Sequence, residues 1–562
     1  MKMKKICFPA LLFVFILSGC FKDNGNYEYE ELNPPKWLFD AENTNIRVYC
    51  RAGAGEKAVF KASDKYTWES DSLRRESEVR FEWKLNGVVI GDKADFEIPT
   101  DSLIKKIKLK ELPDRGIMGT FAIIKKSSGV SFMVRSYVTI NPEFGNYDWY
   151  AISELGEETK FSVIKRRTKY RGEESYNVYE LDDNTYKRVN GRNIPGKPLD
   201  LVLAKALNVG PVGSSTVITD KVAYVVDNST MKKAWELKEQ FLDGPPADFE
   251  VTARYDQDGS GEYGEGAYTF VATKDGKVYT RTMSPNYLGG KFLKEPYYMD
   301  NKGYHVTRFG KGLQGLANIP CYDEKNRRVL IANVWRVDIN HGGGMGDNTS
   351  VYRCRLFPLT ERFSGVPVWE MPEGTKVWHI AASNHLIWGG SQGTNAMYDI
   401  FYTTADGKSI VGSFVVSNRA NNNANDFFAA QRWNIIPNVT FDKDTRFLTS
   451  GNHRSIRTCD NAKYVSFYTK GNEIRYIKRS KNYAVSDIED KHFVTVASKV
   501  TYLAYMWFDC EVIAVGCENG DVYFYDITQT VENPKLESQL NLGGKVVALK
   551  MVGQGSAYHD KY

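Results

Sequence analysis

From residue 79 the chain alternates strictly. Val79, Phe81, Trp83 and Leu85 are apolar, and the residues between them, Arg80, Glu82 and Lys84, are charged. A period of two predicts a strand with one buried face. Asn86-Gly87 follows, a pair that suits a tight hairpin, and Val88-Val89-Ile90 returns. Residues 119–124 and 131–140 read as a second pair of strands around the Ser128-Gly129 turn. Together these predict one small all-β domain over residues 36–146. A buried tryptophan on an early strand is a habit of β-sandwiches.

The rhythm changes over residues 147–562. Short apolar runs are broken by turn residues, as in Asp275-Gly276-Lys277-Val278-Tyr279, Asn326-Arg327-Arg328-Val329-Leu330-Ile331, Asp406-Gly407-Lys408 and Glu518-Asn519-Gly520-Asp521. The run after Gly520 reads as a hairpin followed by an outer strand. No long amphipathic helix appears after residue 250. Strands spaced this way, at roughly 40–60 residues per four-stranded unit, predict a β-propeller, and seven blades fit the length.

Composition supports a β-rich chain. Aromatic residues make up 13%, led by 34 tyrosines and 29 phenylalanines, and such residues favour strands and binding faces. Net charge is only +5, and three of the lysines precede residue 6, so nothing argues for nucleic acid. The basic run Lys165-Arg166-Arg167, with Lys169 and Arg171, is expected at a solvated hairpin tip. Cys50, Cys321, Cys354, Cys459, Cys510 and Cys517 show no zinc spacing and too low a density for a disulfide scaffold.

The N-terminus changes the compartment. Lys2, Lys4 and Lys5 precede an apolar stretch from Ile6 to Leu17, and Leu17-Ser18-Gly19-Cys20 has the shape of a bacterial lipobox. Residues 1–19 are expected to be a signal peptide and Cys20 the lipidated first residue of the mature protein. Residues 20–35, ending in Pro34-Pro35, then form a tether. The location that follows is the outer membrane, lipid-anchored and surface-exposed.

Three stretches carry a resemblance to the PKD-like family of lipoproteins. They are Cys20-Phe21-Lys22-Asp23-Asn24-Gly25-Asn26-Tyr27-Glu28-Tyr29, then Phe81-Glu82-Trp83 with Tyr137-Val138-Thr139-Ile140, and Trp149-Tyr150-Ala151-Ile152-Ser153-Glu154 followed by residues 190–198. The resemblance implies a PKD/Ig-like module. It also implies association with import systems of the starch-utilisation type, in which a barrel transporter and its lipoprotein lid take up glycans or peptides. It supplies no catalytic residues.

Two motifs suggest hydrolysis. His341-Gly342-Gly343-Gly344 matches an oxyanion-hole motif, and Gly389-Gly390-Ser391-Gln392-Gly393 matches a nucleophile elbow. An elbow needs a strand before it and a helix after it, whereas residues 394–403 read as another strand. Both motifs are therefore taken as glycine-rich propeller loops, and no catalytic residue is assigned. Asp256, Asp258, Ser260 and Glu262 alternate oxygen ligands as calcium loops do, but Ala267 stands where an EF-hand needs glutamate. They are either a simpler calcium loop or a plain acidic loop. Trp335, His341, Trp388 and Trp433 lie in or beside polar loops and are the candidate ligand contacts. The alternative for the tryptophans is that they fill blade cores.

The resulting expectation is an all-β, lipid-anchored surface accessory that binds an oligomeric nutrient, glycan or peptide, beside an outer-membrane transporter. A propeller hydrolase and a ligand-free structural subunit are the alternatives.

Overall fold

The structure is a computed structural model. It describes residues 33–552 apart from 40–43, 54, 70–71, 114–115, 146, 172–173, 205–212, 258–267, 283–289, 299, 311–317, 341–347, 362–366, 383–394, 419–426, 436–439, 450–464, 479–488 and 507–510. The chain is all-β and divides into two compact units, Met1–Ile140 and Asn141–Tyr562.

The first unit is built on a five-stranded sheet. Its strands lie in the order Asn45–Arg51, Ser131–Asn141, Ile117–Lys125, Val79–Leu85, Val88–Gly91. Lys57–Lys61 pairs separately with Asp95–Pro99, and Lys36–Trp37 with Tyr66–Thr67. The predicted Asn86-Gly87 hairpin is present, with both residues at positive φ (48° and 77°). Trp83 is fully buried, packs on Phe121 with ring centroids 4.7 Å apart, and donates its indole N–H to the Lys93 carbonyl at 3.0 Å. An aromatic ring buried this way has its one polar atom satisfied, so its burial stabilises without an orphan donor.

The second unit is a β-propeller. Among the described residues its strands form seven sheets in succession, antiparallel except for the short parallel pairing of Thr360–Glu361 with Phe427–Ile435 in the fifth. The first sheet joins Val546–Val552 to Asp148–Leu155, Glu158–Arg171 and Glu174–Asp182. The second holds Pro198–Ala204, Ser214–Thr219, Ala223–Asp227 and Lys233–Glu236, and the third Val251–Gln257, Tyr268–Thr273 and Val278–Thr282. The fourth runs from Val306–Phe309 to Asn348–Pro358, and the fifth from Lys376–Ala382 to Phe427–Ile435. The sixth runs from Phe447–Thr449 to Glu489–Thr495, and the seventh from Val500–Tyr505 to Lys535–Asn541.

Each sheet is covered on both faces by its neighbours, and alternate residues serve the two sides. Val217 packs towards the first sheet and Ile218 towards the third. Ile400 packs towards the fourth sheet and Phe401 towards the sixth. Ala514 and Phe524 of the seventh sheet meet Trp149 and Leu549 of the first, so the succession of cores returns to its start. Burial on both faces explains why these strands read as continuous apolar runs rather than alternating ones.

One end of the sheets is sealed by short turns between the second and third strands. Gly276 (φ 77°), Gly471 (φ 63°) and Gly520 (φ 92°) occupy such turns. Their carbonyls accept the N–H of Val306 (3.0 Å), Val500 (2.9 Å) and Leu542 (2.8 Å), residues that lead into the next sheet. Only glycine suits the Gly276 position, since an added Cβ would lie 2.4 Å from the His305 ring. The Asp275–Lys277 and Asp406–Lys408 ion pairs (2.7 and 2.9 Å) close two matching Thr-x-Asp-Gly-Lys turns.

The basic run of residues 165–171 does lie in the arms of a hairpin, but it is not simply solvated. The Lys165 ammonium lies 3.7 Å from Asp182 and 5.2 Å from the centre of the Phe144 ring. Arg167 reaches the fully buried Asp148 at 3.3 Å. A buried carboxylate needs such a counter-charge, so Arg167 is structural.

Candidate functional site

Most of the expected site residues lie outside the described ones. Cys20, Asp258, Ser260, Glu262, His341 and Trp388 all do, as does Ser391, to which no role was assigned. Asp256 sits near the end of strand Val251–Gln257, paired across the sheet with Thr269. Trp335 lies mid-strand in Arg328–Asn340, opposite Arg353, and Trp433 lies near the end of Phe427–Ile435, opposite Ser413.

Strand parity sorts these positions. The strands flanking 258–267, 341–347 and 383–394 end and resume at the side of the sheets away from the sealed turns. Trp433 is near the sealed side. Trp433 and the strand ends that flank 341–347 and 383–394 therefore lie at opposite sides of the sheets. The segment 383–394 joins two antiparallel strands, with Ala382 opposite Tyr398, so the element after Ser391 is a strand. A nucleophile elbow requires a helix there.

The thiols that are described are buried and free: Cys50, Cys321 and Cys517. Burial pushes Cys50 up to about 11 and Cys517 up to about 12, so these are protonated packing residues rather than nucleophiles. Among the described residues no cluster of three or more His, Cys, Asp or Glu side chains could hold a metal ion.

A recess of about 400 Å³ opens between the second and third sheets, at the sealed end. The turn after Ser214–Thr219 forms one wall. Thr219 shapes it: its Oγ accepts the N–H of Val222 at 2.9 Å and donates to the Pro195 carbonyl at 2.8 Å. The connection between the sheets forms the other wall. Gly244 (φ 80°) turns the chain, Pro245-Pro246 stiffens it, and Phe249 follows. Phe249 is braced edge-on by Phe241 (4.7 Å) and Tyr279 (5.6 Å).

Four of the charges on the rim are paired. Glu236 ends the second sheet and opens the 3-10 turn Leu237–Gln240 with a reciprocal cap, its N–H donating to the Glu239 carboxylate at 2.9 Å. Lys238 lies 2.7 Å from Glu236, and Lys274 lies 2.9 Å from Glu250. The hydrogen bond to Glu236 holds the Lys238 ammonium above its ordinary value, and Glu250 does the same for Lys274. The described lining carries no His, Cys or Ser, and it offers surface for binding. The sequence contained one local sign of this site, the Gly244-Pro245-Pro246 turn. The pairing of Glu250 with Lys274 arises only when the third sheet forms.

The PKD-like family matches residues 20–198, from Cys20 to the first residue of the second sheet. No curated protein matches the chain. Among solved structures it is similar to a quinonprotein alcohol dehydrogenase-like protein from Bacteroides thetaiotaomicron, at 10% identity over 92% of this chain and 99% of that one, with a TM-score of 0.34. It is also similar to the β-propeller domain of Myceliophteria thermophila Cps50 (Swd1), at 11% identity over 61% and 88% of the two chains (TM-score 0.33). A third is Citrobacter koseri AztD, at 11% identity over 78% and 96% (TM-score 0.32).

Proposed function

We propose that this chain is a lipid-anchored accessory protein of the bacterial cell surface, which binds an oligomeric glycan or peptide beside an outer-membrane transporter. Cys20 carries the lipid, and residues 20–35 are the tether. The first unit is a PKD/Ig-like β-sandwich acting as a spacer, and the second is a seven-bladed propeller that presents the ligand site. The transporter barrel and its lipoprotein lid are the partners.

The observation that carries the binding role is the recess between the second and third sheets. It is small-molecule-sized and partly apolar, and four of its charged groups form the pairs Glu236–Lys238 and Glu250–Lys274. The family match, which begins at Cys20, supports the anchored spacer. The closed succession of sheet-to-sheet cores supports seven blades.

Two measurements test it. Cys20→Ala should release the protein from outer membranes or leave it unprocessed; unchanged membrane association with normal processing would refute the anchor. The mature protein should retain members of an oligosaccharide or peptide library. Capture of the barrel transporter with no ligand retained from either library would favour a purely structural subunit.

A further inference from the structure

The five-stranded sheet of the first unit has one face in the core and one in solvent. Val48, Trp83, Phe121 and Val138 point inward. The residues that alternate with them point outward, where a polar surface is the rule. Tyr49, Met118 and Met133 stand there instead, 65%, 60% and 62% exposed, and Val89 is exposed with them. Strand register joins them into one patch. Met118 lies opposite Tyr137 and Ala122 opposite Met133, with Thr120 opposite Arg135 between. Lys84 lies opposite Thr120 on one side and Val89 on the other, and the strand of Tyr49 borders that of Met133. Scattered apolar residues need no explanation, but a contiguous exposed patch marks a contact surface.

The charge on this face is largely of one sign. Arg47, Arg80, Lys84 and Arg135 share it with one carboxylate of these strands, Glu82, which holds Arg80 at 3.3 Å and Lys84 at 2.7 Å. Arg47 and Arg135 are exposed and hold no ion pair among the described residues. A second copy laid face to face would set like charge against like, so the complement is an anionic surface. Three features select a lipid surface over a protein. Long Met and Arg side chains adapt to a partner without fixed relief. Tyrosine suits the membrane–water boundary, and the guanidinium fork suits phosphate. The chain before the sheet leads to the lipid: the sixteen residues 20–35 reach at most about 55 Å from Cys20. That is ample, although the next strand, Lys36–Trp37, packs on the inward side through Phe121, with ring centroids 6.3 Å apart. A tether also keeps the local concentration high, so a weak face is enough.

We infer that the outward face of this five-stranded sheet docks on the phosphate headgroups of the bilayer that holds the anchor. This rests on the lipid-anchored reading and gives the first unit a second contact with the same membrane.

Vesicle flotation of the full mature chain carrying Cys20→Ser tests it. That chain bears no lipid, so it reports the face alone, and failure of the anchor is a separate result read by fractionation of Cys20→Ala. Vesicles of phosphatidylcholine with about 30% phosphatidylglycerol should bind it about tenfold more strongly than phosphatidylcholine alone. Raising the salt to about 0.5 M should remove most of that binding. Arg47→Glu with Arg135→Glu should weaken it about tenfold. Met118→Ser with Met133→Ser should weaken it as well, with the melting temperature unchanged. Lys294→Glu with Lys535→Glu makes the same change of charge on exposed residues of the second unit and should leave binding intact. Equal losses in the two charge variants would overturn the assignment to this face. Equal binding to both kinds of vesicle would overturn the headgroup chemistry. No vesicle binding at all would overturn the inference and leave the face to a protein partner.

Discussion

Gly276 and Gly407 occupy the same Thr-x-Asp-Gly-Lys turn with nearly the same backbone, φ 77° and 82°. They differ in what lies above them. An added Cβ at Gly407 meets nothing within 4 Å, whereas at Gly276 it meets His305 at 2.4 Å. Gly407→Ala should therefore cost only the left-handed strain, about 1–2 kcal/mol. Gly276→Ala should cost clearly more, and urea denaturation of the two variants measures the difference. Asp95 carries a second residue-level expectation. Burial pushes its carboxyl up, but the Ser63 hydroxyl (2.6 Å) and the N–H groups of Ser63 (2.9 Å) and Ala62 (2.8 Å) outweigh it and hold it below the ordinary 3.8. The folded chain binds this proton more weakly than the unfolded one. Its contribution is therefore full above pH 3.8 and is lost as pH falls through the lowered value. Melts of Asp95→Asn should show a shallower acid dependence than the native protein below about pH 4. Equal slopes would remove Asp95 from the acid response. Turn glycines and the Asn86-Gly87 pair were legible in the sequence because their chemistry is local. Glu236, Lys238 and Phe249 were not, because nothing in a run of neighbours shows which strand of the next sheet will face them.

At the level of the strand, the two units follow different rules, and the sequence reveals only one of them cleanly. Strand Val79–Leu85 buries Trp83 and exposes Lys84, so its period of two is visible. Strand Asn395–Thr403 buries Ile400 and Phe401 alike, one into the core with the fourth sheet and the other into the core with the sixth. Its apolar run says that it is buried without saying against what. Ile400→Ala and Phe401→Ala should each destabilise the protein by about 2–5 kcal/mol, by guanidinium denaturation, because each opens a cavity in a different core. In a strand with one solvent face, one of two adjacent truncations would be nearly silent. A silent Phe401→Ala would contradict the two-sided packing. The same two-sidedness bears on the aromatic candidates. Trp335 and Trp433 were singled out by their polar neighbours in sequence, but their strands belong to different sheets, and only the register shows how far each stands from a given end.

Across the whole second unit, the strand that completes the first sheet comes from the far end of the chain. Trp149 lies opposite Met551, and Tyr150 opposite Lys550. Lys160, almost buried, adds a bond to the Leu542 carbonyl at 2.8 Å, and Tyr179 donates its hydroxyl to Glu537 at 2.5 Å. A chain ending before Val546 should lose the cooperative melt of the second unit while the first unit still melts. Two melts unchanged by that truncation would show that the closing strand is dispensable. Residues 546–552 read in the sequence as one more apolar run, with no sign that their partner begins at Asp148.

That shared sheet sets a clock on biogenesis. The ribosome makes the chain from its N-terminus, so Asp148–Leu155 must wait for a partner, Val546–Val552, that is made much later. Until then its outer backbone groups and the apolar faces beside Trp149 stay uncovered, a state that invites pairing with another chain. Pairing between such distant segments also makes folding slow on the scale of small domains. Emergence of Val546–Val552, rather than growth of the earlier sheets, is then the moment at which that edge becomes safe from its neighbours.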